Sequence, residues 1–166
     1  KEAAFIIAVN TVMGIIGTVV SGYMSDRIFK GDRKLPALFA GILETLALVL
    51  FLYGGDGWLV NVLSMTLFGI SIGVLISFLG GLMAVDLVPR EATGAAIGIV
   101  GLASYMAAGL MNVVSGWLID GQALTDAATG EVLSYDFKYV SLFWTGSAVI
   151  SFLLPLLNWH RRPADF

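Results

Sequence analysis

The stretch GWLVNVLSMTLFGISIGVLISFLGGLMAV, residues 57–85, runs for 29 residues without one charged side chain. About 20 apolar residues wound as a helix cross the hydrocarbon core of a bilayer, which is about 30 Å thick. Outward from it the same pattern repeats: residues 3–25 carry no charge, nor do residues 92–119 or 139–160, and residues 35–55 are interrupted only by Glu44. Five membrane spans follow, at about residues 3–25, 35–55, 57–85, 90–119 and 138–160, and little chain is left between them. The expected fold is therefore all-α and polytopic, a single helical bundle over residues 1–166.

Composition points the same way. Of 166 residues, 58% are hydrophobic and 13% charged, with nine Lys and Arg against twelve Asp and Glu. A soluble domain has about twice that share of charge, so a soluble catalytic domain, a disordered tail and a nucleic-acid binder are all excluded. A transmembrane β-barrel alternates apolar and polar residues over segments of about ten, which these runs do not. There is no cysteine, so neither a disulfide framework nor a thiolate metal site can be built. Lys1 reads as a cut edge. The first run does not read as a signal peptide, because it exceeds the usual apolar region and is followed by Asp26, Arg27 and Lys30 rather than a small-residue cleavage site.

Basic residues gather in alternate loops. Arg27, Lys30, Arg33, Lys34, Arg90, Arg161 and Arg162 fall on one side of the spans, and only Lys1 and Lys138 on the other. Seven against two places the N-terminus outside and the C-terminus in the cytoplasm, in a cell inner membrane. Most loops are short, as antiparallel neighbours require. The exception, residues 120–137, is acidic and external, with a turn at Ala127-Ala128-Thr129-Gly130-Glu131 that suits a small hairpin.

Small residues recur at helical spacing, which lets backbones approach where lipid supplies no hydrophobic drive for association. Gly69, Gly73, Ser77 and Gly81 form one stripe, Asn10, Gly14, Gly17 and Ser21 a second, and Gly94, Gly98 and Gly101 a third. Glu44 stands near the middle of its span among Ala37, Ala40, Gly41 and Ala47, so it is expected to face protein. Its carboxyl suits intramembrane coupling, or a hydrogen bond to a neighbouring helix. Tyr105 and Asn112 are seven residues apart and share a helix face. Their polar groups need partners, which a ligand phosphate or another helix could supply.

Gly69-Ile70-Ser71-Ile72-Gly73 matches the Gly-x-Ser-x-Gly pattern of serine hydrolases. That nucleophile needs a strained turn and a nearby base. Ser71 instead sits inside a continuous apolar run, and the single histidine, His160, belongs to the interfacial segment Trp159-His160-Arg161-Arg162. No enzyme activity, cofactor or metal site is expected.

The first basic loop, Gly22-Tyr23-Met24-Ser25-Asp26-Arg27-Ile28-Phe29-Lys30-Gly31-Asp32-Arg33-Lys34, resembles the signature loop of major facilitator superfamily transporters, Gly-x-x-x-Asp-Arg/Lys followed by Gly and basic residues. Two extra residues before Gly31 make it similar to the organophosphate:phosphate antiporter branch, which includes glycerol-3-phosphate and hexose-phosphate carriers. A longer match follows in Asp86-Leu87-Val88-Pro89-Arg90 and Gly94, Gly98, Gly101, Leu102 and Tyr105. These register the chain as helices eight to twelve of a twelve-helix transporter, without its N-terminal bundle and helix seven.

The resemblance implies alternating access between two bundles, with a phosphorylated small molecule as substrate and inorganic phosphate or a proton as counter-solute. It implies a cytoplasmic gate built from Gly22, Asp26, Arg27, Gly31, Arg33 and Arg90, although these charges also serve topology. Family phosphate-binding arginines lie on helices one and seven, upstream of Lys1. Tyr105, Asn112 and Asn10 remain as cavity residues. Where the branch often has Tyr-Gly-Pro in helix ten, this chain reads Val74-Leu75-Ile76, without the tyrosine and the helix-bending proline. The same resemblance also covers relatives that act as membrane sensors of hexose phosphate, and carriers of other small solutes.

Overall fold

The computed structural model describes residues 2–29, 33–126 and 129–157. Five long helices dominate. Helix α1, Glu2–Tyr23, runs on into a π-helical turn, Met24–Ile28. Helix α2 is Lys34–Tyr53, and α3, Trp58–Leu75, continues through a π segment, Ile76–Leu82, into the short α4, Met83–Asp86. A 3-10 turn, Arg90–Ala92, opens α5, Thr93–Asp120, and α6 is Lys138–Leu157. Among the described residues four helices are long and apolar enough to cross a membrane: Glu2–Tyr23, Lys34–Tyr53, Trp58–Asp86 and Arg90–Asp120. The helix α6 adds 20 residues. The C-terminal end of the fifth expected span, with His160, and the Arg161 and Arg162 that follow it lie outside the described residues.

The bundle is organised around α3. Its stripe meets that of α1, and the two backbones come so close that side chains are excluded. A Cβ at Gly73 would strike the carbonyl oxygen of Gly14 and lie 2.8 Å from the Thr18 nitrogen, and one at Gly17 would run into the backbone of Ile70. The Thr18 hydroxyl donates to Gly14 O at 3.0 Å in its own helix and to Gly73 O at 3.3 Å across the interface. On the other side of α3, Ala37 and Ala40 of α2 join Val74 and the fully buried Phe78 in a small core, with Leu75 and Leu82 against it. Helix α2 then meets α6 at Gly41, where a Cβ would sit 2.7 Å from Phe152 Cβ. Small residues thus permit each crossing, as packing in lipid demands.

Helix α5 is held more lightly. It touches α4 and α6, and Trp144 Nε1–H of α6 donates to Ser115 Oγ at 2.8 Å. Its third stripe meets nothing among the described residues: a Cβ on Gly94, Gly98 or Gly101 would meet open space. Outward-facing Val19, Leu59, Val113 and Trp117 give the bundle an apolar exterior, the surface that lipid rather than water solvates.

The turn between α2 and α3 reverses on Gly55, whose φ of +88° favours glycine. The acidic loop forms the small hairpin that its turn residues suggest. Strands β1, Ala123–Thr125, and β2, Val132–Tyr135, pair antiparallel with a bulge between Leu124 and Thr125. Gly130, at φ +70°, makes the turn, closed by Asp126 N–H to Glu131 O and Gly130 N–H to Asp126 O, both 2.8 Å. Asp136 Oδ1 accepts from Lys138 N at 2.9 Å and so caps the start of α6.

Candidate functional site

Three features collect the residues that the sequence marks as functional. The first lies at the end of the bundle that carries the basic loop. Arg33 immediately precedes α2 and Asp86 closes α4, and Arg33 Nη1 lies 2.7 Å from Asp86 Oδ2. The contact is ionic rather than an aligned hydrogen bond, and Arg33 Nε is also buried without a hydrogen-bond partner among the described residues. Exposure of 23% for Arg33 and 38% for Asp86 leaves the pair partly wet. A pair of that kind stabilises a fold by only about 0.2–1 kcal/mol. Its consequence is positional: it ties the loop before α2 to the end of the α3–α4 span.

Both spans that lead to this pair contain a π-helical segment, Met24–Ile28 after α1 and Ile76–Leu82 before α4. Such turns are rare and frequent at functional sites. The first contains the motif residues Asp26 and Arg27; Arg27 is exposed, as is Arg90, and Gly22 is half-buried. Gly31, the remaining motif position, lies outside the described residues. The second begins next to Val74-Leu75-Ile76, so the α-helix is interrupted there without the proline that the resemblance led one to expect. Asp86 is the residue that reading the motifs missed as a partner. The available signal was its place beside Pro89 and Arg90, on the same side of the spans as Arg33.

The second feature is a groove of about 280 Å³ between α1 and α3, lined by Asn10, Thr11, Thr18, Gly69 and Gly73 among others. Asn10 Oδ1 is buried and has no hydrogen-bond partner among the described residues. It would lie 2.9 Å from a Cβ at Gly69, so the glycine is what leaves room for the amide. Tyr105 and Asn112 do not join this groove. Both lie on the exposed side of α5, with Tyr105 83% exposed. They share a face, as their spacing predicts, but α5 has neighbours on one side only, so their polar groups have no described helix to meet.

The third feature surrounds Glu44. Ala37, Ala40, Gly41 and Ala47 are buried, as expected of residues that turn the helix toward protein, and Glu44 itself is half-buried. It lines an open cavity of about 510 Å³ between α2, α3, α5 and α6, and also an adjoining one of about 230 Å³. An ionised carboxylate at mid-membrane costs about 2.5–3.5 kcal/mol on insertion scales. No described side chain pairs or hydrogen-bonds with it. Ser71, by contrast, is 1% exposed and donates to Leu67 O at 2.8 Å within its helix, a regular helical position and not the strained turn a nucleophile needs. Among the described residues no group of three His, Cys, Asp or Glu is placed to hold a metal.

Apolar helices at membrane-spanning length, joined by short turns and charged at their ends, define a polytopic membrane protein. Comparison with known proteins adds the class. The chain is 37% identical over 113 residues to the glycerol-3-phosphate transporter of Bacillus subtilis (strain 168), a match covering 64% of this chain and 24% of the relative. It is 32% identical over 133 residues to the glycerol-3-phosphate transporter of Haemophilus influenzae, covering 70% and 28%. It is 31% identical over 110 residues to the phosphoglycerate transporter protein of Salmonella typhimurium, covering 64% and 23%. The chain is thus similar to organophosphate carriers, consistent with the resemblance of its loops to the major facilitator superfamily, and it spans about a quarter of the length of these relatives. No family model matches the chain, and no solved structure matches it.

Proposed function

We propose that the protein moves a phosphorylated small molecule, a glycerol phosphate or sugar phosphate, across a cell inner membrane by alternating access, in exchange for inorganic phosphate. The observation that carries this reading is the similarity to two glycerol-3-phosphate transporters at 37% and 32% identity. No covalent bond is made or broken in such a process, so the protein is not an enzyme. The described helices serve as the eighth to twelfth of a twelve-helix transporter, with the basic loops and the C-terminus in the cytoplasm and the N-terminus of the segment outside. An N-terminal bundle and a seventh helix supply the main phosphate-binding arginines, while Tyr105, Asn112 and Asn10 line the cavity on this side.

In this reading the Arg33–Asp86 pair is a positioning device. By fixing the loop before α2 to the end of α4 it holds the turn with Asp26 and Arg27 at the cytoplasmic rim. There Asp26 can meet a positive helix N-terminus or an arginine of the other bundle in one access state and part from it in the other. Because the pair contributes little to stability, its charge acts on the balance between states rather than on folding.

The test is counterflow in proteoliposomes: the protein, reconstituted and loaded with inorganic phosphate, takes up labelled glycerol 3-phosphate from outside. Uptake that requires internal phosphate supports the exchange. Saturable binding without flux would replace the carrier with a sensor on the same fold, and flux of a solute lacking phosphate, with no response to glycerol 3-phosphate or a hexose phosphate, would remove the substrate class.

A further inference from the structure

Glu44 is ten residues into α2 from Lys34, so its carboxyl lies about 15 Å along the helix axis, near the middle of the membrane. The charged groups of the elements around it stand at helix ends: Lys34 opens α2, Asp86 ends the α3–α4 span, Asp120 closes α5 and Lys138 opens α6. No lysine, arginine or histidine lies inside any of these spans among the described residues. Among the described residues the carboxyl therefore has no counter-ion inside the spans.

What it has is space and two hydroxyls. The larger cavity brings Glu44 together with Ser147 and Ser151 of α6 and the Trp144 ring, and Ser151 and Glu44 are common to both cavities. A hard metal cation would take about six or more oxygen ligands, more than one carboxyl and two serines supply. A proton needs only one oxygen, and the cavity is open on one side, with the Glu44 carboxyl and the Ser147 and Ser151 hydroxyls as polar partners for a water that delivers it.

The cavity also touches α5, through Ala107, Ala108 and Met111. Tyr105 and Asn112 occupy another face of that helix, and its grip on α6 is the Trp144–Ser115 hydrogen bond at the cavity wall. A change in how α5 leans on α6 alters both surfaces together. Any group whose proton occupancy depends on the cavity is then linked to whatever binds at the Tyr105 face, and the linkage is reciprocal.

We infer that Glu44 is a proton-binding site of the bundle, coupled through α5 to the solute face, so that proton movement accompanies transport. The inference rests on the transport reading above and deepens it by adding the proton as a co-substrate. One proton binds the carboxylate oxygen in one access state and returns to water in the other, with no other bond changed.

Two measurements separate the inference from the reading beneath it. In proteoliposomes of the full protein, an imposed pH gradient should accelerate glycerol 3-phosphate entry, with proton uptake followed by an entrapped pH dye. In Glu44→Gln the gradient-driven component should fall about tenfold or more, within the range a coupling free energy spans, while gradient-independent phosphate exchange persists. Glu44→Asp, which keeps a carboxyl, should retain part of the response and guards against a folding defect. Independently of any solute, infrared difference spectra between acid and alkaline pH should contain a carboxylic-acid carbonyl band that disappears in Glu44→Gln. Identical spectra in the wild type and Glu44→Gln, or an unchanged gradient response in that variant, would overturn the proton site. Absence of solute uptake with the infrared band present would remove the transport reading and leave the proton site standing.

Discussion

Thr18 and Gly73 join α1 to α3 by a hydrogen bond that only a glycine could allow: the threonine hydroxyl donates to the Gly73 carbonyl at 3.3 Å while a Cβ on Gly73 would lie 2.8 Å from the Thr18 nitrogen. The same glycine is thus both acceptor and spacer. Its neighbours Gly14, Gly17 and Gly69 extend the close approach along the crossing.

Replacing that spacer should separate the helices. Gly73→Leu is expected to destabilise the folded protein by about 1–3 kcal/mol, the range for overpacking a tight contact, and to lower the thermal midpoint followed by tryptophan fluorescence in detergent. Gly146→Ala, where nothing lies within 4 Å, should not lower it. A Gly73→Leu midpoint equal to that of the wild type would show that the crossing can relax freely.

The Arg33–Asp86 pair should matter more to transport than to stability. Arg33→Asp and Asp86→Arg are each expected to shift stability by about 1 kcal/mol or less, since the pair is partly exposed, yet to reduce glycerol 3-phosphate exchange strongly. Combining the two restores the attraction and should recover activity. A double variant no better than the singles would locate the effect in the individual side chains.

Among the described residues one side-chain hydrogen bond ties helix α5 to α6. Trp144→Phe and Ser115→Ala each remove the 2.8 Å bond, and interhelical bonds in membranes contribute about 0.6 kcal/mol on average and about 1.7 at most. A double-mutant cycle on thermal stability should return a coupling in that range, and zero coupling would mean that α5 is held by packing alone.

Tyr105→Phe probes the solute face. Because the side chain is 83% exposed in the bundle, removing its hydroxyl should leave the thermal midpoint unchanged. Under the proposed function the KM for glycerol 3-phosphate should rise about two- to tenfold, the equivalent of one hydrogen bond. An unchanged KM would place the hydroxyl away from the solute.

Much of the fold was legible in sequence, because long uncharged runs can satisfy their backbone in lipid only as helices. The small residues around Glu44 correctly pointed the helix toward protein, since burial on one face of a helix follows local spacing. The turn residues Gly130 and Glu131 foretold the hairpin for the same reason. The π segments were not legible: Ile76–Leu82 has no proline, and the backbone there departs from the α pattern in a run of ordinary helix formers. The partners of the functional residues were equally hidden. Nothing in the spacing of Arg33 tells that Asp86 will meet it, nor that Ser147, Ser151 and Trp144 of α6 will line one cavity with Glu44.

The sequence by itself determined the number of long helices, their apolar exterior, the concentration of charge at their ends and the transporter resemblance, all of which depend on composition and local period. Only the tertiary structure decided which stripe meets which. It paired α1 with α3 and left the glycines of α5 open, it joined Arg33 to Asp86, and it set the lone carboxyl of Glu44 beside a cavity instead of a cation. Those contacts link residues far apart in the chain, and the α1–α3 crossing exists because small residues let the two helices approach within hydrogen-bonding distance, a property of a pair of helices that no single helix carries.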